Sequence, residues 1–226
     1  MIIEEIIMGL MKKVLYKLAG INEELVQIYE SKGYCDEYID KFKALHSKKM
    51  APMDYLTLAD IYISMKRYSD AEEMLSHVNI GFMTDDTIKG MYLLQRLNLY
   101  IGEGKGQEAV EVFAREQKFL DIFFSAPAYK RMGVAYYDAA AVTLAMNGQL
   151  EAAGRYYQLE KQSAEANNKA YLYPVLTNVH MLKAAGNDDM AEEAAAKARE
   201  EIMNFNSYSY PWQKEQFLDM LNDYMK

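Results

Sequence analysis

Cysteine is nearly missing from this chain. Cys35 stands alone among 226 residues, which excludes a disulfide within the chain and favours a reducing, cytoplasmic compartment. Its thiol reads as a small buried or incidental group rather than a reactive one. Histidine is scarce as well: His46, His77 and His180 lie far apart in sequence. With no His-Glu-x-x-His spacing and no cysteine pair, they do not make a metal set, so no cofactor or metal is expected. Basic residues are outnumbered, 25 Lys and Arg against 33 Asp and Glu, for a net charge of −8. That balance speaks against nucleic acid as a partner, because binding a polyanion needs clustered positive charge, and Lys48-Lys49 is too short a run to supply it. Long apolar stretches are also lacking. Glu4, Glu5, Lys12 and Lys13 interrupt the N-terminal MIIEEIIMGLMKKVLYKL, and no segment approaches the ~20 apolar residues of a membrane span. Residues 1–19 read as an amphipathic helix. Met11 begins a sequence that resembles a natural bacterial start, so residues 1–10 read as an alternative-start extension.

Proline is rare and oddly uniform in position. All four, Pro52, Pro127, Pro174 and Pro211, stand where a helix would begin, the place that tolerates a missing N–H. Alternating β-branched runs do not occur, whereas apolar residues recur at intervals of three and four through nearly every segment. The class predicted is all-α.

What is abundant is repetition. LADIYISMKRYSDAEEML (58–75), LNLYIGEGKGQEAVEVF (97–113), AVTLAMNGQLEAAGRYY (141–157) and VHMLKAAGNDDMAEEAA (179–195) share one pattern. A large residue (Tyr62, Tyr100, Leu144, Leu182) is followed by a polar or glycine turn. An alanine comes nine positions later (Ala71, Ala109, Ala153, Ala191). A further apolar residue follows four after that (Leu75, Phe113, Tyr157, Ala195). VQIYESKGYCDEYIDKF, with Tyr29, Tyr38 and Phe42, is a weaker copy. The pattern reads as helical hairpins, in which the alanine lets two helices approach closely and the large residue fills the groove beside it.

This arrangement resembles the tetratricopeptide repeat (TPR), a helix-turn-helix unit of about 34 residues. In the clearest copy, 52–85, the signature positions hold Tyr55, Leu58, Ala59, Tyr62, Tyr68, Ala71 and Leu75. The spacings between copies, 33, 38, 44 and 38, depart from a regular array, as does the absence of most repeat-closing prolines. The resemblance implies a right-handed α-solenoid of stacked helix-turn-helix repeats over residues 20–205, about five hairpins, with residues 206–226 as a C-terminal capping helix. PWQKEQFLDMLNDYM (211–225), with Trp212, Phe217, Leu218, Leu221 and Met225 on one stripe, suits that cap.

The stretch IGEGKGQEAV (101–110) invites a phosphate-loop reading. However, the segment before it, YLLQRLNLY, is helical, and Lys105 is followed by Gly106 rather than Ser or Thr. It falls at the turn of a repeat, where glycine supplies left-handed backbone angles. Acidic pairs such as Asp188-Asp189 and Glu192-Glu193 fit helix starts and polar faces. No nucleophile elbow is present, and no enzyme activity is expected.

TPR arrays bind partners along a concave face formed by the first helix of each repeat. By position, the resemblance puts Met53, Leu56, Asp60, Ile63, Leu94, Asn98, Ile101, Asp138, Val142, Tyr173, Leu176, His180 and Lys183 on that face, though some would instead contact the preceding repeat. Asn98 and Lys183 are fragments of a carboxylate clamp that Asp60 and Asp138 would oppose. The expected partner is therefore a protein or peptide with apolar anchors and a positive charge. The favoured expectation is a non-catalytic scaffold module; the alternative is a ligand- or peptide-sensing regulator in which binding changes the curvature of the array.

Overall fold

The computed structural model describes residues 22–82, 84–165 and 172–226. The helix expected over residues 1–19 lies outside the described residues. Within them the chain is all helical, with no strand: α1 (Glu23–Lys32), α2 (Asp36–Leu45), α3 (Pro52–Ser64), α4 (Tyr68–Ser76), α5 (Asp86–Gly102), α6 (Gly106–Ser125), α7 (Gly133–Met146), α8 (Leu150–Glu165), α9 (Tyr173–Ala184), α10 (Asp188–Asn204) and α11 (Gln213–Tyr224).

Local chemistry sets several of these boundaries. Asn22 caps α1 by accepting the Leu25 N–H at 3.0 Å, and Asp85 accepts the Thr87 N–H at 2.8 Å to start α5. Such caps satisfy backbone donors that the helix itself leaves free. Pro52 and Pro174 sit in the first turns of α3 and α9, and Pro211 lies two residues before α11. Pro127 is different. It lies in a run of tight turns between α6 and α7, closed by N–H donation from Tyr129 to Ala126 and from Met132 to Tyr129. The following helix therefore starts only at Gly133.

The turns joining α3 to α4, α5 to α6, α7 to α8 and α9 to α10 are four copies of one geometry. Lys66, Gly104, Gly148 and Gly186 each adopt the left-handed conformation, with φ of 59°, 71°, 71° and 73°. The residue after each returns its N–H to the large residue of the repeat: Arg67 to Tyr62 (2.8 Å), Lys105 to Tyr100 (2.8 Å), Gln149 to Leu144 (2.9 Å) and Asn187 to Leu182 (3.0 Å). These are the long-range bonds of a left-handed helix stop. The repeat alanines then close the first turn of the second helix: Ala71, Ala109, Ala153 and Ala191 donate to Arg67, Lys105, Gln149 and Asn187 at 2.9 to 3.1 Å. All four alanines are completely buried.

Each of these hairpins packs on its neighbours in sequence. The first helices contact one another in order, α3 with α5, α5 with α7, α7 with α9 and α9 with α11, and each second helix also touches the first helix of the next hairpin. α7 is enclosed by α5, α6, α8 and α9, and Val134, Tyr136 and all of Ala139–Ala145 are buried. A polar stripe is therefore absent from most of its length, as expected of a helix that neighbours cover around most of its surface. Three apolar clusters run along the chain, one around Leu58 and Leu75, one around Leu97 and Tyr136, and one around Val179 and Leu221.

The C-terminal segment returns to the N-terminal hairpin. The Trp212 indole N–H donates to the Tyr29 carbonyl at 2.9 Å, and its ring lies so close to Gly33 that an added Cβ would sit 3.2 Å from it. Tyr210 meets the Tyr29 ring edge-on at 5.5 Å. At the other end of α11, Asp223 pairs with Lys66. Within the expected 206–226 cap, Gln213–Tyr224 is helical, and Trp212 and Asp223 link this segment to hairpins far away in sequence.

Candidate binding site at the hairpin turns

The ends of α3, α5, α7 and α9 converge on the C-terminal end of α11 around a pocket of about 590 Å³. Its walls include Lys66 and Tyr68 from the first turn, Ile101 and Gly102 from the second, Met146 from the third, and His180 and Lys183 from α9, with Asp223 and Tyr224 closing it. Gly104 and Gly106 also line it, so the glycine-rich stretch borders the site as a turn. Lys105 is directed to its neighbour Glu103, at 2.9 Å.

The pocket is mixed in character. Both of its lysines are already partnered, Lys66 with Asp223 and Lys183 with Asp188 at 2.8 Å. His180 stacks on Tyr224, with centroids 4.0 Å apart and planes 10° from parallel. Burial pushes the His180 imidazole down to about 4, so the ring is neutral at pH 7 and is a polarisable flat surface rather than a charge. Such walls accept an apolar or aromatic group flanked by hydrogen-bonding atoms.

Carboxylates lie along α3, α7 and α8. Asp60 of α3 reaches water, yet surrounding protein disfavours its charged form and raises its pKa, an effect that a 3.0 Å bond from the Gln95 amide partly offsets. Asp138 of α7 lies 2.8 Å from Thr177 Oγ1 of α9. Fully buried Glu160 of α8 reaches the same hydroxyl at 2.8 Å. Tyr29 and Tyr34 are raised mainly by burial, Tyr29 to about 12, and both also feel Asp60 and Tyr173. Tyr29 and Tyr34 of the N-terminal hairpin thus lie near Asp60 of α3 and Tyr173 of α9. Among the described residues, no group of histidine, cysteine and carboxylate side chains could hold a metal ion.

The thirteen positions named from the sequence divide into three sets. Leu56, Leu94, Val142 and Leu176 are at most 3% exposed and fill the packing between helices. Met53, Asp60 and Tyr173 are exposed. Ile63, Asn98, Ile101, Asp138, His180 and Lys183 are half-buried, and of these Ile101, His180 and Lys183 meet in the pocket. Sequence reading did not single out Glu160, Thr177 or Gln95. The available signal was a charge on an apolar stripe, because Glu160 stands four residues after Tyr156 and seven after Ala153 on the buried face of α8.

The chain matches no protein-family model, and no curated protein or solved structure shows significant similarity to it. No helix among the described residues is long and apolar enough to cross a membrane.

Proposed function

We propose that this protein is a TPR-like, right-handed α-solenoid acting as a non-catalytic module that binds a protein or peptide segment. The observation that carries this reading is convergence: Lys66 of the α3–α4 turn, Ile101 of α5, His180 of α9 and Tyr224 of α11 face one pocket. A surface assembled from several hairpins recognises a partner through shape and a few anchoring side chains. The pocket suits an apolar or aromatic anchor, and the exposed Tyr173 ring offers its face to a positive charge on the same partner.

Affinity capture with the intact protein, compared with Ile101→Glu and Lys183→Glu, tests the reading. Ile101 also packs against the central apolar cluster, so the urea midpoint of each variant is measured first, and capture is compared only between proteins that are folded. Loss of a specifically captured protein with both variants supports the module. Equal capture by all three proteins refutes the pocket as the site. Native mass spectrometry showing a co-purifying small ligand, lost in the same variants, would instead favour the sensing role.

A further inference from the structure

Thr177 Oγ1 carries one hydrogen, yet it lies 2.8 Å from Asp138 Oδ1, 2.8 Å from Glu160 Oε1 and 3.1 Å from the Tyr173 carbonyl. A hydroxyl can donate once and accept from others. Two ionised carboxylates cannot both be hydrogen-bonded to it, since each would need that same hydrogen. At least one of the two carboxyl groups must therefore bear a proton and donate to Thr177. Burial selects Glu160: its side chain is wholly enclosed, and its second oxygen, Oε2, has no partner. Asp138 keeps some solvent contact.

We propose that Asp138, Thr177 and Glu160 form a proton-sharing latch joining α7, α8 and α9, and that this joint weakens as pH rises through neutrality. The neighbours described around the two acids are mainly aromatic. Tyr224 of α11 faces both carboxyl groups, and Tyr173 of α9 faces Asp138. On α8 itself Tyr157 lies nearby, with the Lys161 ammonium over its ring and Glu201 of α10 beyond. His180 of α9 stacks on Tyr224 and is neutral. No lysine or arginine among the described residues pairs with Asp138 or Glu160. Ionising both acids puts two like charges on one hydroxyl in a poorly solvated junction, a state that separating the helices relieves.

The sign follows from proton counting. Burial and the Asp138 charge raise the Glu160 pKa above the ordinary 4.5. The folded chain thus holds a proton that the unfolded chain has released once pH exceeds the ordinary value. Stability from this group is greatest in mild acid and falls as pH rises through neutrality, by up to about tenfold in the folding equilibrium per pH unit for one proton.

The test is urea unfolding of the wild type and Glu160→Gln at pH 5, 6, 7 and 8. The amide mimics the protonated acid and can still donate to Thr177. The latch requires the folding equilibrium of the wild type to decline relative to Glu160→Gln across this series, with the variant the more stable protein at pH 8. Parallel pH dependences would overturn it. Carbon-13 NMR of the intact wild-type protein gives a second readout that needs no variant. A glutamate carboxyl titrating above neutrality supports the latch, and all glutamates titrating in the ordinary range refute it.

Discussion

Lys66 occupies the one left-handed turn position of the four that is not glycine. A Cβ in that conformation costs about 1–2 kcal/mol, partly offset by the extra chain entropy of glycine. Lys66→Gly relieves this cost but also removes the exposed pair with Asp223, worth about 0–1 kcal/mol, so the net gain is expected to be at most about 1 kcal/mol, read as a urea midpoint at or above that of the wild type at unchanged slope. The converse holds at Gly104, where an added Cβ meets nothing within 4 Å, so Gly104→Ala reports the backbone term alone and should destabilise by about 1 kcal/mol. His180 makes a second prediction at this scale. Its pKa is lowered, so protonation favours the unfolded chain, and its contribution to stability is present above the ordinary 6.5 and lost as pH falls toward 4. An NMR titration should give its midpoint near 4; a midpoint near 6.5 would show that the stack on Tyr224 does not shield the ring from water. Individual residues were legible in the sequence where packing dictates a small side chain, as at the four alanines. Glu160, Thr177 and Gln95 were not, because a polar residue on a buried stripe gains its meaning from partners 17 to 39 positions away.

At the scale of elements, close approach matters more than helix propensity. Gly90 lies within α5, where alanine would ordinarily help by about 1 kcal/mol. Here an added Cβ would stand 2.5 Å from the buried Phe123 ring of α6. That ring is wedged against Phe124 and Tyr129 and has little room to move. Gly90→Ala is expected to destabilise by about 1–3 kcal/mol, the usual penalty of overpacking, and chemical unfolding measures it directly. The hairpins themselves were legible because an alanine nine residues after a large residue reflects a strict geometric demand, with the turn bond and the first bond of the next helix both tied to that spacing. The link between α6 and α7 was less so. Pro127 signals a helix start, but the tight turns that follow delay it by six residues.

For the molecule as a whole, the telling feature is the return of the C-terminus. Trp212 holds Tyr29 through its indole N–H and covers Gly33, a contact spanning 183 positions. The apolar stripe of residues 211–225 announced a capping helix with one packed face, but no local pattern could announce its distant partner. Trp212→Ala should destabilise the fold by about 2–4 kcal/mol, somewhat below a fully buried Trp because the residue is half-buried. Hydrogen exchange should accelerate in α1 and α2 together with α11, since these elements share the contact. Exchange confined to α11 would show that the N-terminal hairpin stands without it.

The repeated hairpin, with a completely buried alanine in the first turn of each second helix, sets the turns that line the pocket. Its most direct test is the unfolding free energy of Ala71→Met, Ala109→Met, Ala153→Met and Ala191→Met, set against Ala135→Met at an exposed position of α7. The account predicts losses of about 1–3 kcal/mol or more at each of the four, and within about 0.5 kcal/mol of no change at Ala135. Four substitutions as harmless as the control would contradict it.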